Sequence, residues 1–308
     1  MLYAIGKTIK LNELKMIVGT IDALWRFPVK SFQGEKLDQL YIGKEGILGD
    51  RAYALIDKET GKVVSAKSVK LFPNLLNCSA VYLRNPQIDQ EIPPVQITLA
   101  DGTTVLSDAV EVDEVLSDFF RKEVTLARTA PEDYTIDQYH PDIENLDPAG
   151  HRNVSVEQKL GAALFKEMGV KSPLPPESFL DVFPVSVIST STLEQLHQLQ
   201  AESNFDVRRF RMNMVVKTNV SGFVENQWVG NALAMGKNVR LMVTMPDPRC
   251  VMVTLPQNGI PKDTNVLRTL VNHNRLDIMG GGKFPCAGVY AVVVEEGFVS
   301  IGDTVKFS

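Results

Sequence analysis

Ile17-Val18-Gly19-Thr20-Ile21-Asp22-Ala23-Leu24-Trp25-Arg26-Phe27 runs directly into Pro28-Val29-Lys30-Ser31. The run is rich in β-branched and aromatic side chains, which suit a pleated, half-buried surface, and Pro28 has no N–H with which to continue a ladder. It predicts a strand that ends in a loop carrying a lysine and a hydroxyl. Working outward, Arg51-Ala52-Tyr53-Ala54-Leu55-Ile56-Asp57 reads as a second strand. Lys58-Glu59-Thr60-Gly61-Lys62 is a hairpin-like turn, followed by Val63-Val64. Residues 76–83 and 95–99 continue the β pattern, and Asp101-Gly102 marks a turn before Thr104-Val105-Leu106. Residues 111–121 read as a short helix with Val112, Val115, Leu116, Phe119 and Phe120 on its apolar side.

Residues 132–153 are polar and hold Pro141, Pro148 and Gly150, which predicts a loop or inter-domain crossover. Pro173, Pro175 and Pro176 make a second break before Phe179. The second half opens with a strand over 185–189. Ser191-Thr192-Leu193-Glu194 then reads as a capping box, with Ser191 as N-cap, Glu194 three residues on and Leu193, Leu196 and Leu199 as the apolar face. Residues 212–217, 234–235, 239–245 and 251–255 are strand candidates. Residues 263–274 read as a helix with Val266, Leu267, Leu270 and Val271 inward. The end is β again, over 289–295 and, after a Glu296-Gly297 turn, 298–307. Many short strands with few helices predict an α+β, β-rich protein with barrel-like sheets. The expected division is a β-rich N-terminal domain over 1–135, a connecting segment over 136–160 and a second domain over 161–308.

The 308 residues are enough to bury a proper core in one large domain or two modest ones, and 44% hydrophobic with 22% charged residues is ordinary globular composition. A net charge of −5 argues against nucleic acid or an anionic membrane surface as the main partner, although one basic cleft is allowed. Residues 1–15 are broken by Lys7, Lys10, Asn12, Glu13 and Lys15, so no signal peptide is expected there. No stretch approaches a membrane span of about 20 apolar residues. Three cysteines, Cys78, Cys250 and Cys286, with no Cys-x-x-Cys pair, do not make a disulfide framework, a four-thiolate zinc site or an iron–sulfur site. A cytoplasmic setting is expected.

Neither a Walker phosphate loop nor a Gly-x-Ser-x-Gly elbow is present, and Gly280-Gly281-Gly282 reads as a turn. His140, His151, His197 and His273 lack metal-ligand spacing, and His197 reads as a helix surface residue. What remains is a set of polar and basic clusters at strand ends, where sites are commonly built: Pro28-Val29-Lys30-Ser31, Gly49-Asp50-Arg51, Arg211-Met212-Asn213 and Pro246-Asp247-Pro248-Arg249-Cys250. Any one of them alone could be a solvated lysine or a structural arginine paired with aspartate. Cys250 differs, because a cysteine after arginine in a proline-bracketed turn is unusual for a core thiol. Neighbouring positive charge favours thiolate, which is either a soft metal ligand or a nucleophile. Cys78, in an apolar run, and Cys286, after Phe284-Pro285, read as structural.

Phe27-Pro28-Val29-Lys30-Ser31, Gly49-Asp50-Arg51-Ala52-Tyr53, Phe210-Arg211-Met212-Asn213, Arg249-Cys250 and Ile301-Gly302-Asp303-Thr304-Val305, in this order, resemble the MOSC family. The two-part layout is similar to that of the mitochondrial amidoxime-reducing component and its bacterial relatives. The resemblance implies an N-terminal β-rich domain packed on a MOSC domain with a barrel-like sheet and a few helices. It also implies a molybdenum cofactor, the metal held by the dithiolene of a phosphorylated pyranopterin, with Cys250 as the protein's sulfur ligand. Lys30, Ser31 and Arg51 from the first half, and Arg211, Asn213 and Arg249 from the second, would bind pterin and phosphate. Ser189, Thr190 and Ser191 would join them at a helix start, where free amides favour anions. This sequence departs from the resemblance at Pro248, where amidoxime-reducing members tend to have a small polar residue. No ferredoxin domain of the kind some bacterial relatives append is expected, and the electron donor is expected to be a separate protein of ferredoxin, flavin or cytochrome type.

The implied activity is reduction of small N-hydroxylated substrates, such as amidoximes or hydroxylamines, by oxygen removal at molybdenum, the cofactor carrying the redox chemistry. Two alternatives compete. One is a carrier that binds Mo-molybdopterin without turnover. The other is a metal-free cysteine nucleophile, weakened by the lack of a histidine near Cys250 in sequence.

Overall fold

The computed structural model describes residues 17–131, 134–146, 165, 169, 171–175 and 177–308. Its centre is a closed barrel whose seven staves, labelled along the chain, are β1 (Ile17–Arg26), β2 (Val185–Ser189), β3 (Met214–Lys217), β4 (Ala232–Met235), β5 (Val239–Pro248), β6 (Lys283–Glu295) and β7 (Thr304–Phe307). The pairing order is β2-β3-β1-β7-β4-β5-β6, and β6 pairs back on β2 to close the ring. Closure leaves none of these staves as an unpaired edge. Helices α1 (Val112–Phe120), α2 (Thr190–Leu199) and α3 (Asn265–His273) lie outside the barrel ladder. β2 and β3 form the one parallel pair of the ring, with α2 between them in sequence, because parallel neighbours need a crossover. Among the described residues no helix is long and apolar enough to cross a membrane.

The barrel interior follows the period of two along each stave. Val185 and Val187, Met214 and Val216, Leu233 and Met235, Val239, Leu241 and Val243, and Val289 and Ala291 share one core. β1 breaks the period usefully. A register shift between Ile21 and Ala23 sends Ile21 and Leu24 into the barrel, while Ala23 and Trp25 pack on the outer core with Leu196, Val266 and Leu270 from α2 and α3. β1 lies within the span expected for the N-terminal domain, yet it is a stave between β3 and β7.

The rest of the first half forms its own layer. The strands Ser79–Tyr82, Val95–Thr98 and Thr104–Leu106 pair in order, and Ala54–Asp57 pairs with Val124–Ala127. Their core gathers Phe32, Leu55, Cys78, Ile97 and Leu116, and is completed by Val251 and Leu255 from the second half. The two halves therefore share a core beneath the segment that carries Cys250.

Several expectations are corrected. Residues 251–255 are not a strand: Val251–Thr254 is a 3-10 turn that tucks Val251 and Val253 inward. Residues 51–53 are turn and bridge, so the ladder starts only at Ala54. In the 76–83 run, Leu75–Asn77 is a 3-10 turn and the strand begins at Ser79. The closing 298–307 run is two strands, Gly297–Ser300 and Thr304–Phe307, separated by the Ile301–Asp303 turn. The α2 cap is Ser189, two residues before the expected one. Its hydroxyl accepts from Thr192 N at 3.0 Å, while the Ser191 hydroxyl is turned to Thr218 and Val220.

Gly288 sets the end of the barrel nearest the clusters. It adopts φ +80° at a register shift between β5 and β6, and an added Cβ would lie 2.4 Å from Met212 Cε and 2.8 Å from the Val187 carbonyl. Gly288→Ala should cost roughly 1–3 kcal/mol, read as a lower urea midpoint; a variant as stable as wild type would contradict this constraint.

Candidate functional site

A cleft of about 410 Å³ opens between the two halves. Lys30, Ser31 and Arg51 line it from the first half, and Arg211, Asn213, Arg249 and Cys250 from the second. Among the described residues six cationic side chains line it, the others being Lys67 and Arg209, against the carboxylates of Asp181 and Asp247. A chain with net charge −5 thus concentrates positive charge in one place.

Asp50 joins the pieces. Its carboxylate is buried, accepts from Phe27 N at 2.7 Å and from Asn213 Nδ2 at 3.0 Å, and forms an ion pair with Arg51. Arg51 and Arg211 both lie against the Phe27 ring, with Cζ 4.3 and 4.4 Å from its centroid. Arg211 donates to the Phe32 carbonyl at 2.6 Å and Arg51 to the Arg211 carbonyl at 3.2 Å. Burial, with Arg51 alongside, pushes the Arg211 guanidinium pKa down, but a guanidinium stays charged at neutral pH. Ser31, Arg51 and Arg211 all have positive φ, of 66°, 48° and 53°. Left-handed backbone at non-glycine residues costs energy and clusters where surrounding structure holds a site in place. Asn213 is saturated: its carbonyl oxygen accepts from Ser186 N and Oγ, and its amide reaches Asp50 and the Trp25 carbonyl. It therefore spans β1, β2 and the Asp50 turn.

Lys30 and Lys67 form a second cluster. Lys30 Nζ donates to Asp181 Oδ1 at 2.5 Å and to the Phe179 carbonyl at 2.7 Å, and Lys67 Nζ donates to Asp181 Oδ2 at 2.9 Å. Burial pushes Lys30 down to about 8, helped by Lys67 and Arg51 and opposed by Asp181. Burial alone would raise Asp181, but the two ammonium groups outweigh it and hold the carboxyl well below its usual range.

Cys250 follows Arg249 at the end of β5. Arg249 is heavily engaged: it donates to the carbonyls of Ala287 and Phe210 at 2.8 Å each and pairs with Asp247 at 2.7 Å. That holds the turn entering β3 against β6. Cys250 is partly exposed, whereas Cys78 and Cys286 are buried, and all three are free thiols. The expectation of a lowered thiol pKa is corrected. Burial pushes the Cys250 thiol up, with Lys67, Met252 N–H and Arg249 opposing. A bound metal cation would reverse this, since a coordinating thiol loses its proton outright. Burial likewise pushes Asp247 up to about 6 despite Arg249. Part of the lining is apolar, where Met245, Ile278, Phe284 and Phe183 cluster, and the Phe183 ring stacks on Tyr290 at 5.5 Å.

Ser189, Thr190 and Ser191 do not line this cleft. Ser189 Oγ donates to the buried Glu225 carboxylate at 2.5 Å, which also accepts from Gly288 N at 3.1 Å. Thr190 and Ser191 face residues 218–220. The hydroxyls at the start of α2 are thus turned to internal partners, and the Thr192 amide is capped by Ser189. Among the histidines, His197 is an exposed helix residue with its ring edge-on to Phe205, and His140 lines the cleft with Nε2 at 3.2 Å from Gln138 Nε2. His151 lies outside the described residues.

Lys67 and Asp181 were not singled out by sequence. Lys67 sits in Val64-Ser65-Ala66-Lys67-Ser68, a hydroxyl-flanked lysine after a short β run, and that signal was available. Asp181, alone between Leu180 and Val182, carries no local signal.

Barrel, companion layer and cation-lined cleft together define the class. Residues 18–122 match the family model of the MOSC N-terminal beta barrel domain and residues 176–306 that of the MOSC domain, about three quarters of the chain in all. The chain belongs to the MOSC family. It is similar to mitochondrial amidoxime reducing component 2 of Bos taurus, at 25% identity over 305 residues, 94% of this chain and 83% of that protein. It is also similar to mitochondrial amidoxime-reducing component 1 of Homo sapiens, at 24% identity over 312 residues, 96% and 84% respectively. Among solved structures, the YUAD protein from Bacillus subtilis aligns over 94% of this chain and 96% of that chain, with 11% identity and a TM-score of 0.43.

Two outcomes test this geometry. Asp50→Ala strands Phe27 N–H, Asn213 Nδ2 and the Arg51 charge, and should cost about 3 kcal/mol in urea unfolding; a loss under about 1 kcal/mol would remove Asp50 from its joining role. Asp181, held low, contributes stability above its unfolded pKa of about 3.9, lost as pH falls below that value. Asp181→Asn should therefore flatten the stability profile below about pH 4, and an acid slope equal to wild type's would refute the assignment.

Proposed function

We propose that this chain is a molybdenum-cofactor-dependent oxidoreductase that removes oxygen from N-hydroxylated compounds such as amidoximes and hydroxylamines. Membership of the MOSC family supports a molybdenum-cofactor-associated function, and the names of the mammalian relatives support the reaction class. The observation that carries the reading is a single partly exposed thiol, Cys250, in a cleft whose cations come from both halves of the chain.

The residues fit such a group. Among the described residues no set of three or more His, Cys, Asp or Glu could hold a metal ion, so a metal at Cys250 must bring most of its own ligands. A molybdenum ion carried on the dithiolene of a pterin does so, and thiolate is a suitable soft partner for it. When bound, the cofactor supplies the two-electron chemistry of oxygen removal.

The chain's own residues do the rest. Cys250 ligates the metal. Lys30, Ser31, Arg51 and Arg211 face the phosphate and pterin, with guanidinium forks suited to two-point grip. Asn213 and Arg249, with their donors committed to the protein, position the loops that carry these groups. Met245, Ile278, Phe284 and Phe183 exclude water and receive the carbon part of the substrate. Electrons come from a separate donor protein of ferredoxin, flavin or cytochrome type, and three free cysteines suit a reducing, cytoplasmic setting.

Amidoxime reduction by purified holo-protein with an artificial electron donor tests the proposal, beside molybdenum and pterin analysis of wild type and Cys250→Ser. Wild type should turn over. The variant should lose turnover and about tenfold or more of its molybdenum. Unimpaired turnover by the variant would overturn the role of Cys250, and a wild type that binds cofactor tightly without turnover would be a carrier.

A further inference from the structure

Lys30 and Lys67 are buried ammonium groups that share Asp181 as counter-ion, and Asp181 is the more exposed partner. The side chains of the lysines are 6% and 7% exposed, against 31% for Asp181. Lys30 is further fixed by the Phe179 carbonyl. Asp181 sits in a stretch, 177–184, that forms neither helix nor strand, yet its backbone is pinned by the buried Phe179 and Phe183. Its freedom is therefore rotation of one side chain. All three groups line the cleft.

The mode of binding is informative. Asp181 bridges the lysines with one oxygen each, Oδ1 to Lys30 and Oδ2 to Lys67. Two oxygens on one atom, each taking an ammonium proton, is also how the edge of a phosphate group would meet the pair. Two buried cations need an anion at all times, because an unpaired buried charge costs several kcal/mol. A phosphate dianion matches their joint charge of +2, which a single carboxylate does not.

We propose that Lys30 and Lys67 form a phosphate-monoester site and that Asp181 is its internal placeholder, rotated out when a phosphorylated ligand enters. This rests on the reading of the cleft as a site for a phosphorylated pterin, and adds to it Lys67 as a binding residue and Asp181 as a competitor. Entry of phosphate exchanges the two ion pairs to Asp181 for two to phosphate, so the cations are never bare. Asp181, turned to the cleft mouth, regains water.

The test uses full-length protein produced without the cofactor, at neutral pH and fixed ionic strength, with inorganic phosphate and phenyl phosphate as probes and thermal unfolding plus calorimetry as readouts. Removing the competing carboxylate in Asp181→Asn should tighten binding of both probes about tenfold, and Lys67→Met should weaken it about tenfold. The double variant Asp181→Asn/Lys67→Met keeps the net charge of the wild-type cluster. It guards against a misfolded single variant, and should lose the gain seen in Asp181→Asn. Asp181→Asn binding no tighter than wild type, or Lys67→Met binding equally well, overturns the placeholder. Phenyl phosphate binding more than about tenfold weaker than inorganic phosphate overturns the monoester assignment. None of these readouts depends on molybdenum, so the Cys250 proposal stands or falls separately on metal content.

Discussion

β1 is a stave of a barrel whose other six staves come from the second half of the chain, and the cleft depends on that insertion. Hydrogen bonding to β3 on one side and β7 on the other fixes where β1 ends. The loop after it, with Phe27, Lys30 and Ser31, must then emerge beside the turn that enters β3, with Arg211 and Asn213. Asp50 closes the joint by accepting from both sides, at Phe27 N and Asn213 Nδ2. A hinge between two independent domains would leave these groups free to separate. A shared ladder leaves little freedom.

The electrostatics follow from the same joint. Cations drawn from two halves into a partly dry cleft repel one another and lose water. The protein offsets this with three aspartates and with backbone carbonyls. Asp50 holds Arg51, Asp181 holds both lysines, and Asp247 holds Arg249. The carbonyls of Phe32, Phe179, Phe210 and Ala287 take further donors. Much of the donor capacity of the cleft is thus already engaged internally. Left-handed backbone at Ser31, Arg51 and Arg211 belongs to this pre-set arrangement, since tight turns at strand ends aim those side chains.

The strand clusters were legible because each is local. Phe27-Pro28, Gly49-Asp50-Arg51 and Pro248-Arg249-Cys250 carry proline, glycine and charge within a few residues, and each proved to stand at a turn or element end. Ser189, Thr190 and Ser191 looked equally suitable, as hydroxyls at a strand-to-helix start. Only the fold shows Glu225 behind them and residues 218–220 in front. The raised thiol pKa of Cys250 was hidden for the same reason: Arg249 is next to it in sequence, but burial depth is a property of the folded environment.

By itself the sequence determined the β-rich class, the end of the first strand just before Phe27-Pro28, the helices around Leu116 and Leu270, and which cysteine was unlike a core thiol. These follow from period, turn chemistry and immediate neighbours, which act over a few residues. Tertiary structure alone decided that β1 closes a barrel made by the other half, that Lys67 and Asp181 meet Lys30, and that Asp50 ties the two halves together. Lys30 and Asp181 are 151 residues apart. No local rule connects them, and they meet because hydrogen-bonded staves and a common core leave the chain one place to bring them together.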